Sequence, residues 1–175
     1  MDYKSKIRSI PDYPKAGITF RDVTTLMSDS DAFTGAVEDL CKPFVNMDVS
    51  KVAGIDARGF ILGGAMALHL GAGFLPLRKP GKLPYKTWSE SYELEYGSDE
   101  LHMHTDGVEE GEHVLLVDDL IATGGTAEAA VRLLRRGRAD IIAAVFLVDL
   151  PDLQGSRKLR SMGVDVTSLV QFSGH

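Results

Sequence analysis

Val114-Leu115-Leu116-Val117-Asp118-Asp119-Leu120-Ile121-Ala122-Thr123-Gly124-Gly125-Thr126 begins as a strand and leads into a helix. The apolar run 114–117, with a β-branched residue at each end, reads as a strand buried on both faces. Asp118 and Asp119 end that run, residues 122–126 form a turn of small residues, and residues 127–136 carry a helical pattern. Such a turn lets successive backbone N–H groups converge at a helix N-terminus, where the dipole favours an anion. Gly124 and Gly125 keep side chains out of the way of a phosphate, and the Thr123 and Thr126 hydroxyls can donate to its oxygens. Asp118 and Asp119 can accept from a vicinal diol or ligate a hydrated Mg²⁺. Phosphate and diol together describe a ribose 5-phosphate. The commoner phosphate loops do not fit: no lysine enters the turn, as G-x-x-x-x-G-K-[ST] requires, and there is no G-x-G-x-x-G. A plain helix start explains any two of these residues, but poorly explains the whole string in order.

Upstream lies a second unit of the same kind. Residues 51–55 read as a strand, Asp56-Ala57-Arg58-Gly59-Phe60 as a turn, and residues 61–70 as an apolar helix. The fork of Arg58 suits paired phosphate oxygens. An arginine at a helix start opposes the dipole, so an anion should compensate it; a plain surface arginine is the alternative. Residues 74–77 read as a third strand. After them, residues 78–97 are long, polar and aromatic, a length more typical of active-site lids than of ordinary connections. Arg78, Lys79, Lys82 and Lys86 there can neutralise a pyrophosphate, and a hairpin over 83–105 is compatible with a lid. His102 and His104 fall on one side of a strand, but without a third ligand they read as a surface face and not a zinc site.

Further out, residues 2–10 read as a short helix stopped by Pro11. The irregular stretch to Asp22 carries Tyr13, Ile18 and Phe20, which suit either a flat stacked ligand or a loop tucked onto the core. Phe33, Ala36, Val37, Leu40 and Phe44 recur at helical spacing over 31–45. Residues 141–148 read as a strand, 153–162 as a helix stopped by Gly163, and 164–170 as the last strand. This alternation predicts an α/β fold: a mostly parallel central sheet flanked by helices, with ligands at the carboxyl ends of its strands.

At 175 residues, with 44% hydrophobic and 25% charged residues, the chain suits a single domain, 1–175. A net charge of −6 argues against a nucleic-acid footprint. Cys41 is the only cysteine, so no intrachain disulfide can form and a reducing cytoplasm is the simplest location. No apolar run approaches a membrane span or a signal-peptide core.

The combination of Asp12-Tyr13-Pro14, Gly17, Phe20-Arg21-Asp22, Ala57-Arg58-Gly59-Phe60, Arg78-Lys79-Pro80-Gly81-Lys82-Leu83-Pro84, Tyr92, Leu94-Glu95-Tyr96-Gly97 and the Asp118 to Thr126 string resembles the type I phosphoribosyltransferase family. Within that family it resembles the adenine-using branch, over nearly the whole chain. The resemblance implies the type I phosphoribosyltransferase fold, with a small base-binding hood over 1–30 and a flexible lid hairpin over 79–99. It implies a purine-salvage transferase moving the phosphoribosyl group of 5-phosphoribosyl-1-pyrophosphate (PRPP) to adenine, giving AMP and pyrophosphate, with Mg²⁺ as cofactor. By that resemblance Ala122, Thr123, Gly124, Gly125 and Thr126 hold the 5-phosphate, and Asp118 and Asp119 the ribose hydroxyls. Ala57, Arg58, Lys79 and Lys82 meet the pyrophosphate, in a loop where the family often has a non-proline cis peptide. Thr19, Phe20 and Arg21 bind adenine, and Glu95 is the acid/base residue, with Arg58 beside it in the catalytic set.

No metal site is implied by the protein alone: Mg²⁺ arrives with the substrate, within reach of Asp118 and Asp119. The implied partners are adenine, PRPP and a second copy of the chain in a homodimer, with no nucleic acid and no membrane. Two alternatives remain: a 6-oxopurine or orotate enzyme, and a PRPP-sensing regulator, which should carry a DNA-binding module or basic surface. Two departures stand out. Asp56 replaces the Glu of many bacterial relatives, and Gly137-Arg138-Ala139 replaces a more usual Leu-Gly-Gly at a helix end.

Overall fold

The computed structural model describes residues 1–94 and 96–174. Its strands are β1 (Arg8–Pro11), β2 (Thr19–Asp22), β3 (Lys51–Ile55), β4 (Gly73–Leu77), β5 (Thr87–Glu93), β6 (Ser98–His104), β7 (His113–Ile121), β8 (Asp140–Asp149) and β9 (Val166–Gln171). Its helices are α1 (Thr24–Met27), α2 (Ser30–Cys41), α3 (Arg58–Leu70), α4 (Gly125–Arg136) and α5 (Gly155–Ser161). Five strands make one parallel sheet in the order β4-β3-β7-β8-β9. The central strand β7 owes its continuous apolar run to cover on both faces. Leu115 and Val117 join the core built with α2 and α3, while Val114 and Leu116 join the core built with α4. Pro76 sits on β4, an edge strand, where a missing N–H is tolerated.

The ladder runs further than the apolar pattern. β7 continues through its aspartates, pairing Asp118 with Phe146 and Ile121 with Asp149 on β8. α3 and α4 likewise begin earlier than their apolar spacing suggests, because Arg58-Gly59-Phe60 and Gly125-Thr126 supply their first turns. The expected helix over 2–10 is a correction. Only a 3₁₀ turn forms at Lys4–Lys6, and β1 then pairs antiparallel with β2, Ile10 opposite Phe20. So short a helix bears the full cost of nucleation, and pairing with β2 satisfies the backbone instead.

β5 and β6 form an antiparallel hairpin laid on α4, with Tyr92, Leu101 and Met103 buried. Arg136 of α4 clasps it, its guanidinium 5.4 Å from the Trp88 ring centre and its Nη1 donating to Ser89 O at 3.0 Å.

At the end of α4 the departure noted in sequence has a steric meaning. A Cβ on Gly137 would lie 2.2 Å from Val108 Cγ2, so glycine is needed there for space. The left-handed backbone falls on the next residue, Arg138, at φ 58°. Freeing a non-glycine residue from that region recovers about 1–2 kcal/mol, part of which the extra freedom of an unfolded glycine takes back. The Arg138–Glu110 pair is exposed and contributes little. Arg138→Gly should therefore stabilise the fold by about 0.5–1 kcal/mol, read as a Tm raised by a few degrees. A lowered Tm would show that the arginine side chain outweighs its backbone strain.

Candidate active site

The carboxyl ends of β3 and β7 deliver two turns to one place. Where β7 passes into α4, Gly124 adopts φ 84° and serves as N-cap without a side-chain cap hydrogen bond. Among the described residues the first amides of α4 thus have neither a capping side chain nor an intrahelical acceptor, the arrangement that receives an anion. Arg58, Asp118, Asp119, Ala122, Thr123, Gly124, Gly125 and Thr126 line a single cavity of about 230 Å³ at this end of the sheet.

The opposing turn holds the first residues of α3. Gly59 lets that helix close on β7, since a Cβ there would lie 2.9 Å from Asp118 Oδ1. Arg58 Nε donates to Asp119 Oδ2 at 2.5 Å, so the compensating anion is a protein carboxylate. Burial opposes the charge on Arg58, but Asp119 outweighs it and holds the guanidinium above its ordinary range. Asp119 N donates to Asp118 Oδ1 at 2.9 Å. Burial, then the neighbouring Asp119 charge, push the Asp118 carboxyl well above the usual carboxylate range.

An acid whose folded pKa is raised is stabilising while protonated, below its unfolded value. That stability is lost as pH rises through the folded value. Asp118→Asn keeps an acceptor for the Asp119 amide but carries no charge. Its Tm should exceed that of the parent at pH 7, with the difference vanishing in acid near pH ~4, the ordinary aspartate range. Equal melting curves across that interval would show that Asp118 is comfortable as an anion.

The other sequence candidates lie around this cavity. Ala57 follows a cis Asp56–Ala57 peptide, and Asp56 accepts from Arg78 Nε at 3.1 Å. Lys79 is engaged near the turn end of the hairpin and not at Arg58: its ammonium bonds the Tyr92 hydroxyl and Asp99, the latter at 2.5 Å. Burial opposes its charge, yet those two partners outweigh burial and raise its pKa. Lys82 is exposed, with no hydrogen-bond or ion-pair partner among the described residues. Thr19, Phe20 and Arg21 lie on β2, half-buried. Phe20 meets Tyr13 edge-on at 5.4 Å, and Tyr13 itself is exposed. Arg21 is occupied twice, donating to Ser9 Oγ at 2.5 Å and lying 4.2 Å above the Phe172 ring. The next residue, Asp22, is kept ionised first by Thr24 hydrogen bonds and then by the charges of Arg8 and Arg58. Glu95 lies outside the described residues.

His102 bonds along its own hairpin, to Glu100 at 2.9 Å and Thr87 at 3.0 Å. Among the described residues no three His, Cys, Asp or Glu side chains group as a metal site. For a divalent cation the cavity offers two adjacent carboxylates, Asp118 and Asp119. That donor set fits a Mg²⁺ that takes its remaining ligands from phosphates and water. Sequence reasoning missed the partners Asp99 and Phe172, and it missed Gly155, which abuts Gly124. No local pattern around these three points at the site.

The chain matches the phosphoribosyl transferase domain over residues 45–171. It is 61% identical over 175 residues to the adenine phosphoribosyltransferase of Bradyrhizobium sp. (strain ORS 278), covering all of this chain and 98% of that one. Among solved structures, it superposes on the adenine phosphoribosyltransferase of Rhodothermus marinus with a TM-score of 0.90 and 48% identity, covering 97% of this chain and 96% of that one. The Saccharomyces cerevisiae adenine phosphoribosyltransferase, complexed with an imino-altritol bisphosphate and adenine, gives a TM-score of 0.90 at 34% identity over 97% of each chain.

Proposed function

The chain belongs to the adenine phosphoribosyltransferases of the type I phosphoribosyltransferase family, and on that premise we propose how its residues share the reaction. It transfers the phosphoribosyl group of PRPP to adenine, yielding AMP and pyrophosphate. The observation that carries the assignment of roles is the cavity itself. It joins uncapped helix amides, two carboxylates and an arginine within the span of one sugar phosphate.

The 5-phosphate is gripped by residues 122–126, and the ribose hydroxyls donate to Asp118 and Asp119. As the anomeric C–O bond breaks, positive charge builds on the ribose ring and negative charge on the departing pyrophosphate. Arg58, Lys79 and Lys82 stabilise that departing charge; Lys79 exchanges its Asp99 carboxylate for a phosphate oxygen to do so. Mg²⁺ bound with the substrate, with Asp118 and Asp119 the residues that would hold it, supplies further charge neutralisation. Thr19, Phe20 and Arg21 in the hood (1–30) orient adenine. Residues 79–99 act as the lid that excludes water, with the buried Tyr92 as its anchor on α4. Glu95 handles the proton of the purine ring nitrogens.

We read the assembly as a cytoplasmic homodimer without nucleic-acid or membrane partners. Ile61, Leu68 and Phe74 are large apolar side chains left exposed on α3 and β4, which supports a covered face. Cys41 is buried, its thiol pushed up to about 11, as suits a structural and unreactive cysteine. Among the described residues no helix is long and apolar enough to cross a membrane.

Pyrophosphate release from PRPP and Mg²⁺, with adenine, hypoxanthine, guanine or orotate offered separately, tests the assignment. Adenine alone should support turnover. Comparable rates with hypoxanthine or guanine would move the chain to the 6-oxopurine enzymes, and silence with all four would favour a PRPP sensor.

A further inference from the structure

The turn that grips phosphate does not hold its shape alone. The chain leaves β8 at Asp149, passes through a 3₁₀ turn at Pro151–Leu153, and reverses at Gln154 with φ 65°. This brings Gly155, the first residue of α5, against the back of residues 121–124. Gly155 N donates to Ala122 O at 2.9 Å. A Cβ on Gly155 would lie 2.4 Å from Ala122 O, 2.7 Å from Ile121 Cγ1 and 2.8 Å from Gly124 N. Seen from the other side, a Cβ on Gly124 would lie 2.9 Å from Gly155 Cα. Two glycines thus meet backbone to backbone, and two of the three atoms nearest a new Cβ are main-chain atoms that cannot swing aside.

Nearby in sequence, Asp149 Oδ1, opposite Ile121 in the ladder, and Ser156 Oγ, next to Gly155, are buried without hydrogen-bond partners among the described residues. Unpaired buried polar atoms cost stability, and each asks for an explanation in a native fold.

We propose that Gly155 is a positioning residue for the transfer: it buttresses residues 122–124 so that the α4 amides converge on the 5-phosphate. This rests on the reading of residues 122–126 as the phosphate cradle. Gly155 touches no substrate. Its absent side chain sets where Ala122 O and Gly124 N lie, and displacements of about 1 Å at a remote support cost up to about 100-fold in well-positioned reactions.

Gly155→Ala should lower kcat/KM for PRPP by about tenfold or more, mainly through KM, with the KM for adenine nearly unchanged. A fall in Tm with an unchanged KM for PRPP would make Gly155 merely structural and overturn the proposal. Because that variant can fail to fold, the parent protein supplies an independent reading through amide hydrogen exchange with and without AMP. Slowed exchange in residues 122–126 and, together with them, at the Gly155 amide supports the buttress. Slowed exchange in 122–126 with Gly155 unchanged overturns it while leaving the cradle intact. No slowing in 122–126 overturns the cradle itself, and the buttress with it.

Discussion

Glu95→Gln should lower kcat by about 10²–10⁴-fold, the usual contribution of a positioned acid or base, with the KM for PRPP little altered. The substitution preserves size and hydrogen bonding but removes proton exchange at neutral pH. The separation of kcat from KM follows from the division of the site. In the proposed division PRPP is held by residues 122–126, Asp118, Asp119 and Arg58, which line one cavity on β7, α3 and α4. Glu95 belongs to a different segment, between β5 and β6. The limb of the pH–rate profile assigned to Glu95 should flatten in the variant. Wild-type turnover would remove Glu95 from the chemistry and leave proton handling to solvent.

Arg58→Ala should lower kcat by about 10²–10³-fold, as loss of one preorganised charge-stabilising donor does. It should also raise the KM for PRPP. Two effects add. The departing pyrophosphate loses a cation, and Asp119, only 5% exposed, loses its counterion beside an Asp118 already pushed toward its neutral form. The ribose acceptors then become poorer anions. Arg58→Lys should recover only part of the rate, because an ammonium cannot reproduce the guanidinium fork. An alanine variant with parental kcat and a lowered Tm would reduce Arg58 to a structural partner of Asp119.

What the sequence made legible was local. The apolar run 114–117, the aspartates and the small-residue turn lie within one continuous stretch, so strand, turn and helix could be read together. Arg58 was legible for a related reason: a cation at a helix start asks for an anion, and Asp119 answers across the sheet. Contacts made at a distance were not legible. Arg8–Pro11 joins a hairpin because β2 lies beside it, which no helical or strand period in so short a segment announces. Lys79 was read as facing pyrophosphate, yet it is tied to Asp99 and Tyr92, partners set by the hairpin register. Arg21 was read as facing the base and lies on Phe172, from the far end of the chain. Gly155 carries no motif at all; only the close approach to Gly124 gives it meaning.

The grip on the terminal phosphate is tested most directly by calorimetric titration of AMP against adenosine, which differ by that group alone. Two charge-assisted hydrogen bonds from the α4 amides, at about 1.5–3 kcal/mol each, predict AMP binding at least about 100-fold tighter than adenosine. Equal affinities would mean that residues 122–126 do not hold a phosphate.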